Sequence, residues 1–310
     1  MTASGTSAAA APATGSLTAT PAQEVEIDVE LVAKLLAAQA PQYADLPLTI
    51  GPSGWDNVMV RIGDSLAARL PRRQLAASIG VSEWTWLPRV SVGWTFPAPV
   101  PLFVGEPGYG FPWRWSVVPW LSGTPALEEP LGPDGAAQLG EALAQVHRAA
   151  PAGAPLNPFR SQPIAARAER LDARLESLAT VDGWEVDLDA ARGAIAAADP
   201  WQGGTWCHLD LHGNNVLTDD GALAGIIDWG DSAAGDAPTD LGQVRYLLGA
   251  TLFDVCVEAY ASAGGAGDPR APRVRAEAVA YALTMASLDD QVYAASGRFA
   301  LEDLGVARRV

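Results

Sequence analysis

The stretch from Thr205 to Asp231 reads TWCHLDLHGNNVLTDDGALAGIIDWGD and holds the residue types that could do chemistry. His208, Asp210 and Asn215 fall as H-x-D-L-x-x-x-N, and Asp228-Trp229-Gly230 begins thirteen residues beyond Asn215. A carboxylate and a neutral amide oxygen, from Asp228 and Asn215, suit a hard octahedral cation such as Mg²⁺, which keeps several waters and is completed by substrate phosphates. A second carboxylate, Asp210, can take the proton of an attacking hydroxyl. That equipment suits transfer of a phosphoryl group from a nucleotide to an alcohol, which depends mostly on positioning and charge neutralisation.

A hairpin must bring these groups together. Residues 216–218 and 223–227 are short β-prone runs, and Asp220-Gly221 supplies the two-residue turn that right-twisted hairpins favour. Centred there, the pairing predicts Asn215 opposite Ile226, with Asp228 just beyond and Asp210 at the same open end. A different chemistry is open to the same segment: His208, Asp210 and His212 alternate, so in an extended strand they would share a face and could bind zinc for hydrolysis. Only one further histidine, His147, is available to complete such a site. His208 is otherwise a prop for the loop, and His212 a contact on the loop or substrate side.

Composition narrows the classes. At 310 residues the chain can bury two cores. No apolar run approaches the roughly 20 residues of a membrane span, and the start lacks a basic region followed by an apolar core, so a cytoplasmic, monomeric enzyme with no membrane partner is expected. A formal charge of −16 argues against nucleic acid as a partner, because phosphate backbones demand clustered Lys and Arg. The two cysteines, Cys207 and Cys256, are too few for a disulfide framework and read as small buried apolar residues.

The rest reads as scaffold. Residues 1–24 are Ala-, Thr-, Ser- and Pro-rich and predict a disordered tail. Asp28 should cap a helix through Ala40, with Val32, Leu35 and Leu36 on its apolar stripe. Residues 48–71 predict three strands, and a helix follows over 74–87. The segment 88–112 predicts two more strands, and 113–120 a buried one. Beyond it the pattern becomes helical: Asp134 should cap a helix to Ala149, and further helices are expected at 164–178, 188–198, 241–248 (capped by Asp240), 272–290 and 301–309.

The run at 208–241 resembles the catalytic and metal loops of the protein-kinase-like superfamily, H-R-D-L-x-x-x-N and D-F-G. Asp210-Leu211-His212 and Gly235-Asp236-Ala237-Pro238-Thr239-Asp240-Leu241 are more specific and resemble the aminoglycoside phosphotransferase family, whose loops read H-G-D-L-H-x-x-N and I-D-[FW]-G followed by G-D-P-x-x-D-L. Leu209 stands where that family usually has Gly, which implies local repacking.

The resemblance implies an α+β, bilobal protein-kinase-like fold: a nucleotide-binding lobe with an antiparallel sheet over 25–118, a hinge at 119–123, and a mainly helical catalytic and acceptor-binding lobe over 119–310. ATP or GTP with Mg²⁺ would lie between the lobes. Ser53 and Gly54 would approach its phosphates, Arg69 would hold them because no lysine is placed to do so, and Glu83 would orient Arg69. Pro119 and Leu121 would meet the base edge. Asp240 would also brace the catalytic loop. Asp231, His212, Asp289, Asp290 and Glu302 are the candidates for gripping an acceptor. A polycationic antibiotic, an aminoglycoside or basic cyclic peptide, would be gathered by the acidic chain. A macrolide, or a choline- or sugar-type alcohol, is the alternative acceptor, and a non-catalytic nucleotide-binding protein the alternative from another class.

Overall fold

A computed structural model describes residues 22–179, 181, 183–198 and 200–310. The tail expected over 1–24 lies outside the described residues up to residue 21. Helix α1 (Val29–Gln39) begins where Asp28 accepts the Leu31 N–H at 2.7 Å, and it buries Val32, Leu35 and Leu36 as its apolar spacing requires. Strands β1 (Leu48–Ser53), β2 (Asn57–Ile62) and β3 (Leu66–Pro71) follow as expected, with Val58, Val60 and Ile62 pointing inward on alternate positions of β2. Helix α2 (Gln74–Val90) lies next, then β4 (Phe103–Gly105) and β5 (Trp115–Pro119). The five strands form one antiparallel sheet in the order β1-β2-β3-β5-β4.

Only β4 forms within 88–112, where two strands were expected. Trp94 and Phe96 are diverted to pack on Trp229, with ring centroids 4.7 and 6.3 Å from it. The aromatic richness that suggests strands is used instead to tie this loop to the catalytic region.

After residues 120–123 the chain enters a second, mainly helical assembly. Strand β6 (Thr124–Pro125) is followed by α3 (Pro133–Val146), α4 (Ala168–Leu178), β7 (Trp184–Val186), α5 (Leu188–Ala196), β8 (Thr205–Cys207), β9 (Val216–Asp219), β10 (Ala222–Ile226), β11 (Ala233–Gly235), α6 (Ala237–Ser262), α7 (Pro272–Ala286), α8 (Gln291–Asp303) and β12 (Ala307–Arg309). Small sheets β10-β9-β6, β11-β8 and β12-β7 punctuate the helices. The architecture is α+β, with a sheet-bearing part and a helical part joined at 120–123.

Several helix boundaries differ from the sequence reading. Gly132 is the N-cap of α3, since Pro133 suits the first helical position, so Asp134 lies in the first turn. Asp236 is the N-cap of α6, so Asp240 falls inside its first turn, and α6 extends to Ser262 across a break at Gly249, whose φ is 68°. Helix α7 stops at Ala286. A separate α8 starts under Asp290, which accepts the Val292 and Tyr293 N–H groups, and the last residues pair with β7 as a strand.

The main core packs α3 against α6 and under the catalytic hairpin. Their approach depends on Gly140, where an added Cβ would lie 2.1 Å from the Cys256 carbonyl oxygen. Among the described residues no helix is long and apolar enough to cross a membrane, and both cysteines are free and buried.

Candidate active site

The catalytic hairpin turns at Asp220-Gly221, with φ of 49° and 76°, the left-handed pair that a type I′ turn needs. Near the turn the register is as expected, Ala222 opposite Asp219 and Leu223 opposite Thr218. A bulge between Leu223 and Gly225 then shifts it by one residue, so Ile226 pairs with Val216 rather than Asn215. Asn215 instead meets Ile227, whose N–H donates to the Asn215 carbonyl at 2.9 Å. The side-chain amide of Asn215 donates to the Asp210 carbonyl at 2.9 Å. One backbone hydrogen bond and one side-chain bond therefore hold the Asp210 loop, Asn215 and the approach to Asp228 as a single unit.

The Asp210 loop is held from behind by α6. Asp240, fully buried, accepts the N–H groups of His208 and Leu209 at 2.7 Å each and meets the His147 ring at 3.0 Å. Gln243 accepts the Leu211 N–H at 2.7 Å and donates to the Leu209 carbonyl at 2.9 Å. His208 is the prop: its Nδ1 accepts the Asp210 N–H at 3.2 Å, which puts the proton on Nε2, and Nε2 donates to the Ile227 carbonyl at 3.0 Å. With both ring nitrogens used on backbone, His208 does not join Asp210 and His212 as a zinc set. Among the described residues the only close trio of possible metal ligands is His147, Cys207 and Asp240. There Asp240 is committed to backbone, and burial pushes the Cys207 thiol well above its usual range.

Leu209 takes φ of 69°, a conformation that costs a non-glycine residue about 1–2 kcal/mol. Its side chain is buried with Cys207 and Ala233. Gly235 leaves the room, since a Cβ there would come within 3.0 Å of a Leu209 methyl.

Two charged or polar groups meet one oxygen of Asp210. Arg160 Nη1 donates to Oδ1 at 2.6 Å and also to the Leu209 carbonyl at 2.7 Å, and the Tyr281 hydroxyl reaches Oδ1 at 3.5 Å. The other oxygen, Oδ2, faces His212 Nε2 at 3.7 Å, beyond hydrogen-bond range. His212 Nδ1 accepts the Asn214 N–H at 3.2 Å, and burial holds its pKa below the usual value. Burial alone would raise the Asp210 carboxyl, but Arg160, with His212 and His208, overcomes it and holds Asp210 below the usual carboxylate range. Removing the guanidinium leaves burial as the larger influence. In Arg160→Gln the Asp210 pKa therefore rises, and the acid limb of the kcat/KM profile moves up by about one unit or more. An unmoved limb would show that Arg160 does not set the charge of Asp210.

In front of this unit lies a cleft of about 400 Å³ lined by Gly54, Met59, Arg69, Pro119, Leu121, Leu217 and Asp228, among others. Arg69 donates to both oxygens of Glu83, which is 1% exposed, and to Asp228 Oδ1 at 2.8 Å. Glu83 is thus an orienting partner rather than a solvated helix glutamate. With the Asn57 amide turned so that its oxygen faces Arg69, it accepts from Nε and Nη2 at 3.1 Å each. Ser53 ends β1 opposite Val58, and the Gly54 N–H donates to the Asn57 carbonyl at 2.9 Å. Pro119 and Leu121 lie on the wall where the two assemblies meet. The donor set fits a hard cation. Asn215 has spent its amide nitrogen on Asp210, Asp228 has one carboxylate oxygen beyond Arg69, and Asp228 is half-exposed toward the cleft.

The acceptor-gripping candidates separate. Asp231 is near Asp210 but is already held by Asn157 Nδ2 at 2.8 Å and Arg160 at 3.6 Å. Asp290 is occupied as the N-cap of α8, and Asp289 beside it is exposed. Glu302 sits at the opposite end of α8, 3.5 Å from Arg309, and is not brought to the base. Arg160 and Tyr281, which touch Asp210, were not among the sequence candidates. Neither belongs to the loop motifs, and only tertiary packing brings them there.

The model of the family described as "Phosphotransferase enzyme family" matches residues 48–276. Similar solved structures include the GDP complex of wild-type aminoglycoside 2'-phosphotransferase-IIIa, at 18% identity and a TM-score of 0.61, covering 89% of this chain and 98% of that one. The macrolide 2'-phosphotransferase MphH from Brachybacterium faecium, an apoenzyme, is 23% identical with a TM-score of 0.58, covering 88% and 98%. A streptomycin-ATP-APH(2")-IIa ternary complex is 15% identical with a TM-score of 0.55, covering 90% and 97%. No curated protein sequence gives a significant match.

Proposed function

This chain belongs to the phosphotransferase enzyme family, and from that membership we propose that it transfers the γ-phosphoryl group of ATP or GTP, with Mg²⁺, to a hydroxyl of a small-molecule antibiotic. The observation that carries the reading is the single unit joining the base to the metal donors: Asn215 is bonded to the Asp210 carbonyl on one side and to the Ile227 N–H on the other. The similar structures, with GDP, with streptomycin and ATP, and of a macrolide phosphotransferase, support a nucleotide donor and an antibiotic acceptor.

Asn215 and Asp228 would hold Mg²⁺, which when bound supplies charge neutralisation across the donor phosphates. Asp210 Oδ2 orients the acceptor hydroxyl and takes its proton as the acceptor oxygen bonds to the γ-phosphorus and the bond to the β-bridging oxygen breaks. Arg69, held by Glu83, places its guanidinium where phosphate charge develops. Ser53 and Gly54 close over the phosphates, and Pro119 and Leu121 line the place of the nucleotide base.

The acceptor class rests on two opposed features. A net charge of −16 gathers a polycationic aminoglycoside or cyclic peptide at long range. At contact range the group beside Asp210 is Arg160, which favours a neutral or acidic face on the acceptor. A macrolide is the second reading, supported by the likeness to a macrolide 2'-phosphotransferase. The test is Mg²⁺-dependent nucleotide turnover across aminoglycosides, cyclic peptides and macrolides. One antibiotic class raises turnover, and Asp228→Ala lowers it by about 10²-fold or more through loss of a metal ligand. Nucleotide binding with no antibiotic-stimulated turnover would sink the antibiotic reading and point to metabolite alcohols.

A further inference from the structure

Behind Asp210 a cavity of about 270 Å³ opens between α4 and α7, and its lining is basic: Arg160, Arg167, Arg170 and Arg174, with Tyr281 and Thr284. Arg167, Arg170 and Arg174 are spaced three and four residues apart, which places them on one face of α4 and the turn before it. The charges do not balance. Arg160 is paired with Asp210 and Asp231, and Arg167 with Glu277, the only carboxylate in the lining. Arg174 donates to the neutral Thr284 hydroxyl at 2.7 Å, and among the described residues neither Arg170 nor Arg174 has an ion-pair partner. The Nε of Arg167 is buried without a hydrogen-bond partner. The acids of the same helix lie on its other side: Asp172 and Glu176 turn to Arg192, and Glu169 lines the groove toward α5.

The buried Arg167 Nε is costly to leave without an acceptor, whereas Arg170 is exposed and Arg174 half-buried; Arg forks match carboxylate, sulfate and phosphate oxygens. The cavity adjoins Asp210 without including it: Arg160 and Tyr281 line the cavity and both touch Asp210 Oδ1. We propose that this cavity is an acceptor subsite for an anionic group, a carboxylate, sulfate or phosphate carried by the molecule whose hydroxyl faces Asp210. The proposal rests on the phosphotransfer reading but not on a polycationic acceptor: it favours an acceptor that carries an anionic group over an aminoglycoside, a basic peptide or a macrolide. It also replaces carboxylates with arginines as the groups that select the acceptor.

The probe is inorganic sulfate, titrated calorimetrically into the full chain at constant ionic strength set with chloride, with Mg²⁺ and a non-hydrolysable ATP analogue filling the nucleotide cleft. Saturable sulfate binding is expected, weakened about tenfold or more in the Arg170→Gln/Arg174→Gln double variant and unchanged in Arg192→Gln, which lies on the other side of α4. Gluconate should displace the sulfate, whereas glucose and glucosamine, matched polyols without the negative charge, should not. Absence of sulfate binding, equal binding in the double variant, or displacement by glucosamine as good as by gluconate would each overturn the subsite. Nucleotide binding is read separately in the same titrations. A chain that binds sulfate as expected but no nucleotide would fail the phosphotransfer reading, and the acceptor assignment with it, while a chain that binds nucleotide and no sulfate fails the subsite alone.

Discussion

Asp210→Asn is expected to lower kcat by about a thousandfold while leaving nucleotide affinity within a few fold, because a positioned base contributes roughly 10²–10⁴ and the nucleotide cleft does not include Asp210. The substitution keeps the side-chain volume and an oxygen for Arg160, so the loop should hold its shape. On the proposed mechanism it removes the oxygen that would orient and deprotonate the acceptor hydroxyl. Single-turnover kinetics with a nucleotide-binding titration in parallel separate the two effects. If affinity and turnover fell together, Asp210 would be a structural anchor of the loop, and the unclaimed Oδ2 facing His212 would have to be explained some other way.

Asp240→Ala is expected to cost on the order of 3–5 kcal/mol of stability, since it strands buried donors that have no other acceptor. Two of these are the N–H groups of His208 and Leu209, and a third is on the His147 ring. Leu209 already sits at φ of 69°, so its backbone geometry depends on such outside support. Urea unfolding of the variant reads the loss directly. A change below about 1 kcal/mol, the worth of one ordinary hydrogen bond, would show that Gln243 and His208 hold the loop without Asp240. Activity should fall with stability in this variant, in contrast to Asp210→Asn, where only activity falls.

The two residues illustrate what was legible. Asp210, Asn215 and Asp228 could be found by spacing because a short loop and a tight hairpin join them, and Asp220-Gly221 announces its turn chemically. Even there the bulge before Gly225 moved the partner of Asn215 by one residue, since a bulge depends on what packs against the strand. Arg69 and Glu83 were legible because a strand and the helix after it face each other at short range, 14 residues apart. The aromatic stretch over 88–112 misled, because Trp94 and Phe96 serve a distant ring, Trp229, rather than a local sheet. Asp290 and Glu302 misled for the opposite reason: an acidic side chain near a helix end is as good a cap or surface partner as a ligand, and these became a cap and an Arg309 contact.

By itself the sequence determined the three-strand start of the sheet, the hairpin, and the nearness of Asp210, Asn215 and Asp228, all of which rest on local geometry and on residue types whose spacing is short. Only the tertiary structure decided the electrostatics around the base. Arg160 reaches Asp210 across 50 residues of sequence and Tyr281 across 71, and Arg167, Arg170 and Arg174 face the cavity because α4 packs with that side toward α7. The total charge of −16 is a sum over the whole surface, whereas the charge an acceptor meets is set by the few groups within hydrogen-bond reach, and in a partly buried site those few outweigh the sum.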